Sequence, residues 1–161
     1  ETKIVASVAV TDRYAHDGPE FPKLVRETTE RFTAKKFSAD KAYSSVKNLT
    51  TVVAYGAQPF IPFKTNATGE SGELWENMFH EYHLNKGLFM REYRKRENAE
   101  AAFSMIKRKF GSFVHSKTDA AMRNEVLCKI LCHNICCLIQ SQCELGIEPV
   151  FWGSDAIRKV G

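Results

Sequence analysis

A chain of 161 residues suits one domain and can bury a sizeable core. Its 43% hydrophobic and 26% charged residues exclude a disordered or fibrous protein, and the short apolar start ends in the wrong residues for a signal peptide. A net charge of +4, with Lys and Arg concentrated between residues 86 and 117, admits a polyanionic partner without demanding one.

Residues 3–11, rich in valine and isoleucine, predict a strand that ends at the polar Asp12-Arg13 turn. Asp17-Gly18-Pro19 then supplies a cap and an early proline, and Phe21, Leu24, Val25, Thr28 and Phe32 carry helical spacing over residues 19–32. A short strand at 36–40, a helix at 44–55 closed by Gly56, and a strand at 59–63 complete a strand-helix-strand-helix-strand order, the pattern of an α/β sheet. Residues 64–72 form a polar, glycine-containing loop, expected to be mobile and able to flank a site.

From Leu74 the chain reads as helical, with breaks near Gly87, Gly111 and Gly146 and a tail without pattern. The apolar stretch 120–143 is interrupted by Arg123, Glu125, Lys129 and His133, which predicts a core helix and not a membrane span. All five cysteines, at 128, 132, 136, 137 and 143, fall on it. An odd number on one element makes no disulfide framework, so the chain reads as reduced and cytoplasmic. Three thiols on one straight helix cannot wrap a zinc ion, which leaves a buried cysteine face. His80 and His83 are three apart, not the four of a His-Glu-x-x-His zinc helix.

The most informative segment is 93–107. Tyr93, Arg96, Glu100 and Lys107 are separated by steps of three, four and seven. At roughly 100° per residue these fall on one helical stripe, beside an apolar arc of Ala99, Ala102, Phe103, Ile106 and Phe110. A carboxylate can hold a hard divalent cation, while Arg96 and Lys107 can hold phosphate oxygens, by a fork and as a point charge. Phosphate chemistry needs that mixture. Asp40 lies at the carboxyl end of its short strand, the usual place for a catalytic group in such sheets.

The spacing resembles the Tyr-x2-Arg-x3-Glu-x6-Lys signature of the DDE transposases of prokaryotic insertion sequences, with every signature residue present. The segment Ser38-Ala39-Asp40-Lys41-Ala42-Tyr43 resembles that family's second-acid motif, 58–64 the strand after it, and 127–134 its C-terminal helix. The resemblance implies a ribonuclease-H-like mixed sheet flanked by helices and truncated at its N-terminal strand or strands, with residues 1–161 as the C-terminal portion of one catalytic domain. It implies Asp40 and Glu100 as catalytic acids holding Mg²⁺ or Mn²⁺, and Tyr93, Arg96 and Lys107 as DNA or phosphate contacts. Double-stranded DNA is the implied partner, a homodimeric working unit is compatible with it, and the setting is a prokaryotic, nucleoid-associated cytoplasm.

The implied first Asp is expected upstream of residue 1, since residues 3–11 look like the strand after the one that carries it. A chain lacking it is expected to be inactive alone. Asp17, in His16-Asp17-Gly18, reads as a helix cap. Two alternatives stand beside the strand-transfer enzyme: an inactive remnant that binds DNA, and a metal-dependent nuclease. The run Arg91, Arg94, Lys95, Arg108 and Lys109 would contact DNA backbone or merely solubilise, and Phe110 and Phe113 are expected in the core.

Overall fold

The computed structural model describes residues 2–11 and 18–146. The expected cap at Asp17, and Asp12 with it, lie outside the described residues, as does the tail. The chain divides into two compact units, one of residues 5–103 and one in which residues 2–4 join the helical part from 104 onward.

The first unit is built on a β-α-β segment. Strand β1 (Lys36–Ser38) pairs in parallel with β2 (Gln58–Phe60), Phe37 opposite Pro59. Parallel neighbours need a crossover, supplied here by α2 (Val46–Ala54). Ser45 caps α2 by accepting from the Asn48 amide at 3.2 Å, and Gly56 releases it in a left-handed turn with φ 72°. Before this, a 3₁₀ turn (Gly18–Glu20) leads into α1 (Phe21–Thr29), with a proline in its first turn. Helices α1 and α2 bury Phe21, Val25, Leu49 and Val52 against Ile61, Phe63 and Trp75, which is the core of the unit. The Phe63 ring meets Trp75 edge-on, centroids 4.7 Å apart.

Residues 3–11 do not form the expected strand; among the described residues the only sheet is β1 with β2. A strand exists through a ladder to a neighbour, so valine content alone does not make one. Residues 3–10 are half-buried without alternation, and Ser7 is held by side-chain bonds to the Thr28 hydroxyl at 2.7 Å and the Leu24 carbonyl at 3.3 Å. The first helix also stops before Phe32, which is 52% exposed. The expected loop follows β2, and within it the Thr68 carbonyl accepts from the Trp75 indole N–H at 2.7 Å.

Helices α3 (Glu73–Leu84) and α4 (Lys86–Tyr93) follow, then a 3₁₀ turn (Arg94–Arg96) and α5 (Glu97–Phe110). The polar stripe from Tyr93 to Lys107 is therefore not one continuous α-helix. Of its predicted apolar arc, Ala102 and Ile106 are buried, Phe110 is half-buried, Ala99 is exposed and Phe103 is 50% exposed.

In the second unit, α6 (Asp119–Leu145) starts on a Thr118 cap and ends at Gly146 in the left-handed conformation. It buries only Ile130, His133 and Cys137. The expected core helix with a buried cysteine face is corrected accordingly: Cys128, Cys132 and Cys143 are exposed, as are Leu131 and Ile139. By length and composition alone α6 is also long and apolar enough to cross a membrane. His133 is fully buried, its Nε2 2.8 Å from the Lys3 carbonyl. Phe113, expected in the core, is 77% exposed.

Candidate functional site

The site grows from the end of β1. Beyond Ser38 the chain places Asp40 in extended conformation at the head of a 3₁₀ turn (Lys41–Tyr43), whose Tyr43 amide donates to the Asp40 carbonyl at 2.9 Å. Tyr43 packs on Phe21 at 5.3 Å, and the Asn48 side chain donates to the Tyr43 carbonyl at 2.8 Å. Asp40 is thus fixed by the backbone around it while its side chain stays 45% exposed.

The end of α4 is tied to the same strand. The Ser38 hydroxyl donates to the Glu92 carbonyl at 3.1 Å, and the Glu92 carboxylate takes ion pairs from Lys36 at 3.1 Å and Lys95 at 2.8 Å. The hydrogen bonds from Lys95 and then Lys36 hold the Glu92 carboxyl below its ordinary range. Sequence reading missed Ser38 and Glu92 as positioning groups; the only signal was an acid immediately before Tyr93.

That tie brings Arg96 to Asp40. The Arg96 Nε donates to the Tyr93 phenol oxygen at 2.9 Å, with the guanidinium 5.4 Å from the Tyr93 ring centroid. Arg96 Nη1 lies 2.7 Å from Glu100 Oε1 and 3.8 Å from Asp40 Oδ2. The bond to Tyr93 first, and the charges of Glu100 and Asp40 after it, hold Arg96 above its ordinary range, against the opposing effect of partial burial. Four of the five sequence-predicted residues, Asp40, Tyr93, Arg96 and Glu100, therefore meet around one guanidinium. Lys107 is exposed on α5 and belongs to the other compact unit.

Two carboxylates addressing one cationic nitrogen are a donor set that suits Mg²⁺ or Mn²⁺, which take one or two carboxylates and complete the shell with water or phosphate oxygens. Here the cation between them is Arg96. Among the described residues no group of three His, Cys, Asp or Glu gathers to hold a metal. Beside Asp40 opens a pocket of about 440 Å³ lined by Asp40, Lys41, Ala42, Lys64, Thr65 and Asn66. The basic side chains Arg91, Arg94, Lys95, Arg108 and Lys109 are all exposed.

Comparison with known proteins adds one finding. A family model described as "Transposase DDE domain" matches residues 1–135. No curated protein and no solved structure matches the chain.

Proposed function

Because the chain belongs to the transposase DDE domain family, we propose that it serves DNA transposition, cutting and transferring DNA strands with Asp40 and Glu100 as metal-holding catalytic acids. The observation that carries this reading is the convergence of Asp40 and Glu100 on the single Arg96 nitrogen, at 3.8 and 2.7 Å. Residues 60 positions apart in sequence, both within the family match, face one cationic nitrogen, which supports the reading.

Within this reading the β1-α2-β2 segment is part of a ribonuclease-H-like sheet, and the chain is the C-terminal portion of a catalytic domain from a prokaryotic insertion sequence. Mg²⁺ or Mn²⁺ held by Asp40 and Glu100 supplies activation of an attacking water or 3′-hydroxyl and stabilisation of the departing oxygen. With a divalent cation held by Asp40 and Glu100, the Arg96 fork would be free to hold a phosphate oxygen. Tyr93 keeps that fork oriented by holding Nε, and Lys107 acts as a point charge on the DNA backbone.

A second reading has one observation in its favour. The place between Asp40 and Glu100 is filled by the Arg96 guanidinium, at 3.8 and 2.7 Å, which suits a DNA-binding remnant without chemistry. The test is nicking and joining of plasmid DNA by the full-length protein with Mg²⁺ or Mn²⁺. Joined products support the strand-transfer enzyme, cleavage without joining points to a nuclease, and salt-dependent binding with no cleavage points to the remnant.

A further inference from the structure

The pocket beside Asp40 has a basic wall that the proposed reaction leaves unassigned. Lys41 and Lys64, with Thr65 and Asn66, line it together with a single carboxylate, Asp40, so its formal charge is positive. The walls are built, not incidental. On one side the Ser44 amide donates to the Lys41 carbonyl at 3.1 Å, and the turn rests on Phe21 through Tyr43. On the other, the Ala67 amide donates to the Lys64 carbonyl at 2.9 Å, and Trp75 grips Thr68 from the core.

This chemistry selects its ligand. Two point charges, a hydroxyl and a carboxamide suit an anion with several oxygens, while Ala42 and the lysine stems offer apolar surface against which a sugar can lie. The pocket is open to solvent, which suits a passing strand better than an enclosed small molecule. We propose that it holds backbone phosphates of the DNA strand adjoining the Asp40 acid, with Lys41 and Lys64 as the phosphate contacts and Thr65 and Asn66 as their hydrogen-bonding companions. The assignment rests on the DNA reading above and adds a place for the strand.

The experiment is the salt dependence of binding to a mixed-sequence duplex, measured by fluorescence anisotropy on the intact chain. Each phosphate contact contributes a slope of about 0.9 in log K against log salt. Lys41→Gln with Lys64→Gln should lower the slope by about 1.8, while Lys41→Arg with Lys64→Arg keeps it. Lys23→Gln with Lys35→Gln, both exposed and neither lining the pocket, removes equal charge and should leave the slope nearly unchanged. If wild type binds and both Gln pairs change the slope equally, or neither does, the pocket assignment is overturned while the DNA reading stands. No salt-dependent binding by wild type overturns both. Unchanged melting of the variants establishes that the slope reports contact and not unfolding.

Discussion

Arg96 Nη1 lies 2.7 Å from Glu100 Oε1, and the same nitrogen faces Asp40 Oδ2 at 3.8 Å. In the proposed reading the guanidinium occupies the place between the two acids that a divalent cation would take. Charge and position make the two mutually exclusive. Arg96→Ala should raise Mn²⁺ affinity by about tenfold in the absence of DNA, because a cation is no longer competing and repelling. Titration followed by the electron paramagnetic resonance of free Mn²⁺ checks this; equal or weaker binding would show that the acids do not form a cation position without Arg96.

Glu92 is the link that carries the signature segment to β1. Its folded carboxyl is held below the ordinary value of 4.5, so the ionised form stabilises the fold. That contribution is full above about pH 4.5 and is lost as pH falls below it. Glu92→Gln should lower the melting temperature near neutrality, and the gap to wild type should narrow as the pH drops through the carboxylate range. A gap independent of pH would mean that the carboxylate charge is not what holds the segment.

How much of this was legible in sequence differs by residue. Asp40 and Glu100, which the fold brings to one Arg96 nitrogen, stand out as candidates in the sequence because their motifs are local, a polar residue after a short strand and a fixed spacing on a helical stretch. The Ser38 to Glu92 bond spans 54 positions and has no local signature. Likewise the 3₁₀ turn at Arg94–Arg96 interrupts a stripe that an ideal 3.6-residue period draws as continuous. Residues 3–11 carried the composition of a strand, yet pairing is a property of the neighbour and not of the segment. Phe113 and the cysteines of α6 were expected inside because apolar residues usually are, but composition does not say which face of a helix meets a partner.

Glu125 organises the segment before α6. It accepts from the His115 and Ser116 amides and from the Ser116 hydroxyl, at 2.8 to 3.1 Å, and pairs with Lys129 at 3.0 Å. The Ser116 amide first, then His115 and the Ser116 hydroxyl, hold its carboxyl down to about 2 from 4.5. The depressed value means that its stabilisation is present above pH 4.5, declines as pH falls, and is gone by about pH 2. Glu125→Gln should speed amide hydrogen exchange at His115 and Ser116 at pH 6 and not at sites in α2. Unchanged exchange would contradict a clamp.

The core of the first unit predicts a contrast in stability. Leu49 is 2% exposed, whereas Leu131 on α6 is 59% exposed. Leu49→Ala should cost about 2–5 kcal/mol through lost burial and an unfilled cavity, and Leu131→Ala about 0.5 kcal/mol or less. Urea denaturation of both variants measures it. Equal costs would place a binding partner or a second chain over Leu131.

The central claim is that Asp40 and Glu100 form the cation-holding pair of a DNA strand-transfer enzyme. The most direct measurement is metal-dependent joining of DNA by the full-length protein, with Asp40→Asn and Glu100→Gln beside wild type at matched folding and DNA affinity. The account predicts joined products from wild type in Mg²⁺ or Mn²⁺ and a loss of roughly a hundredfold or more in each variant, as removal of a group supplying ~3 kcal/mol to the transition state gives. Joining that survives either substitution would contradict it.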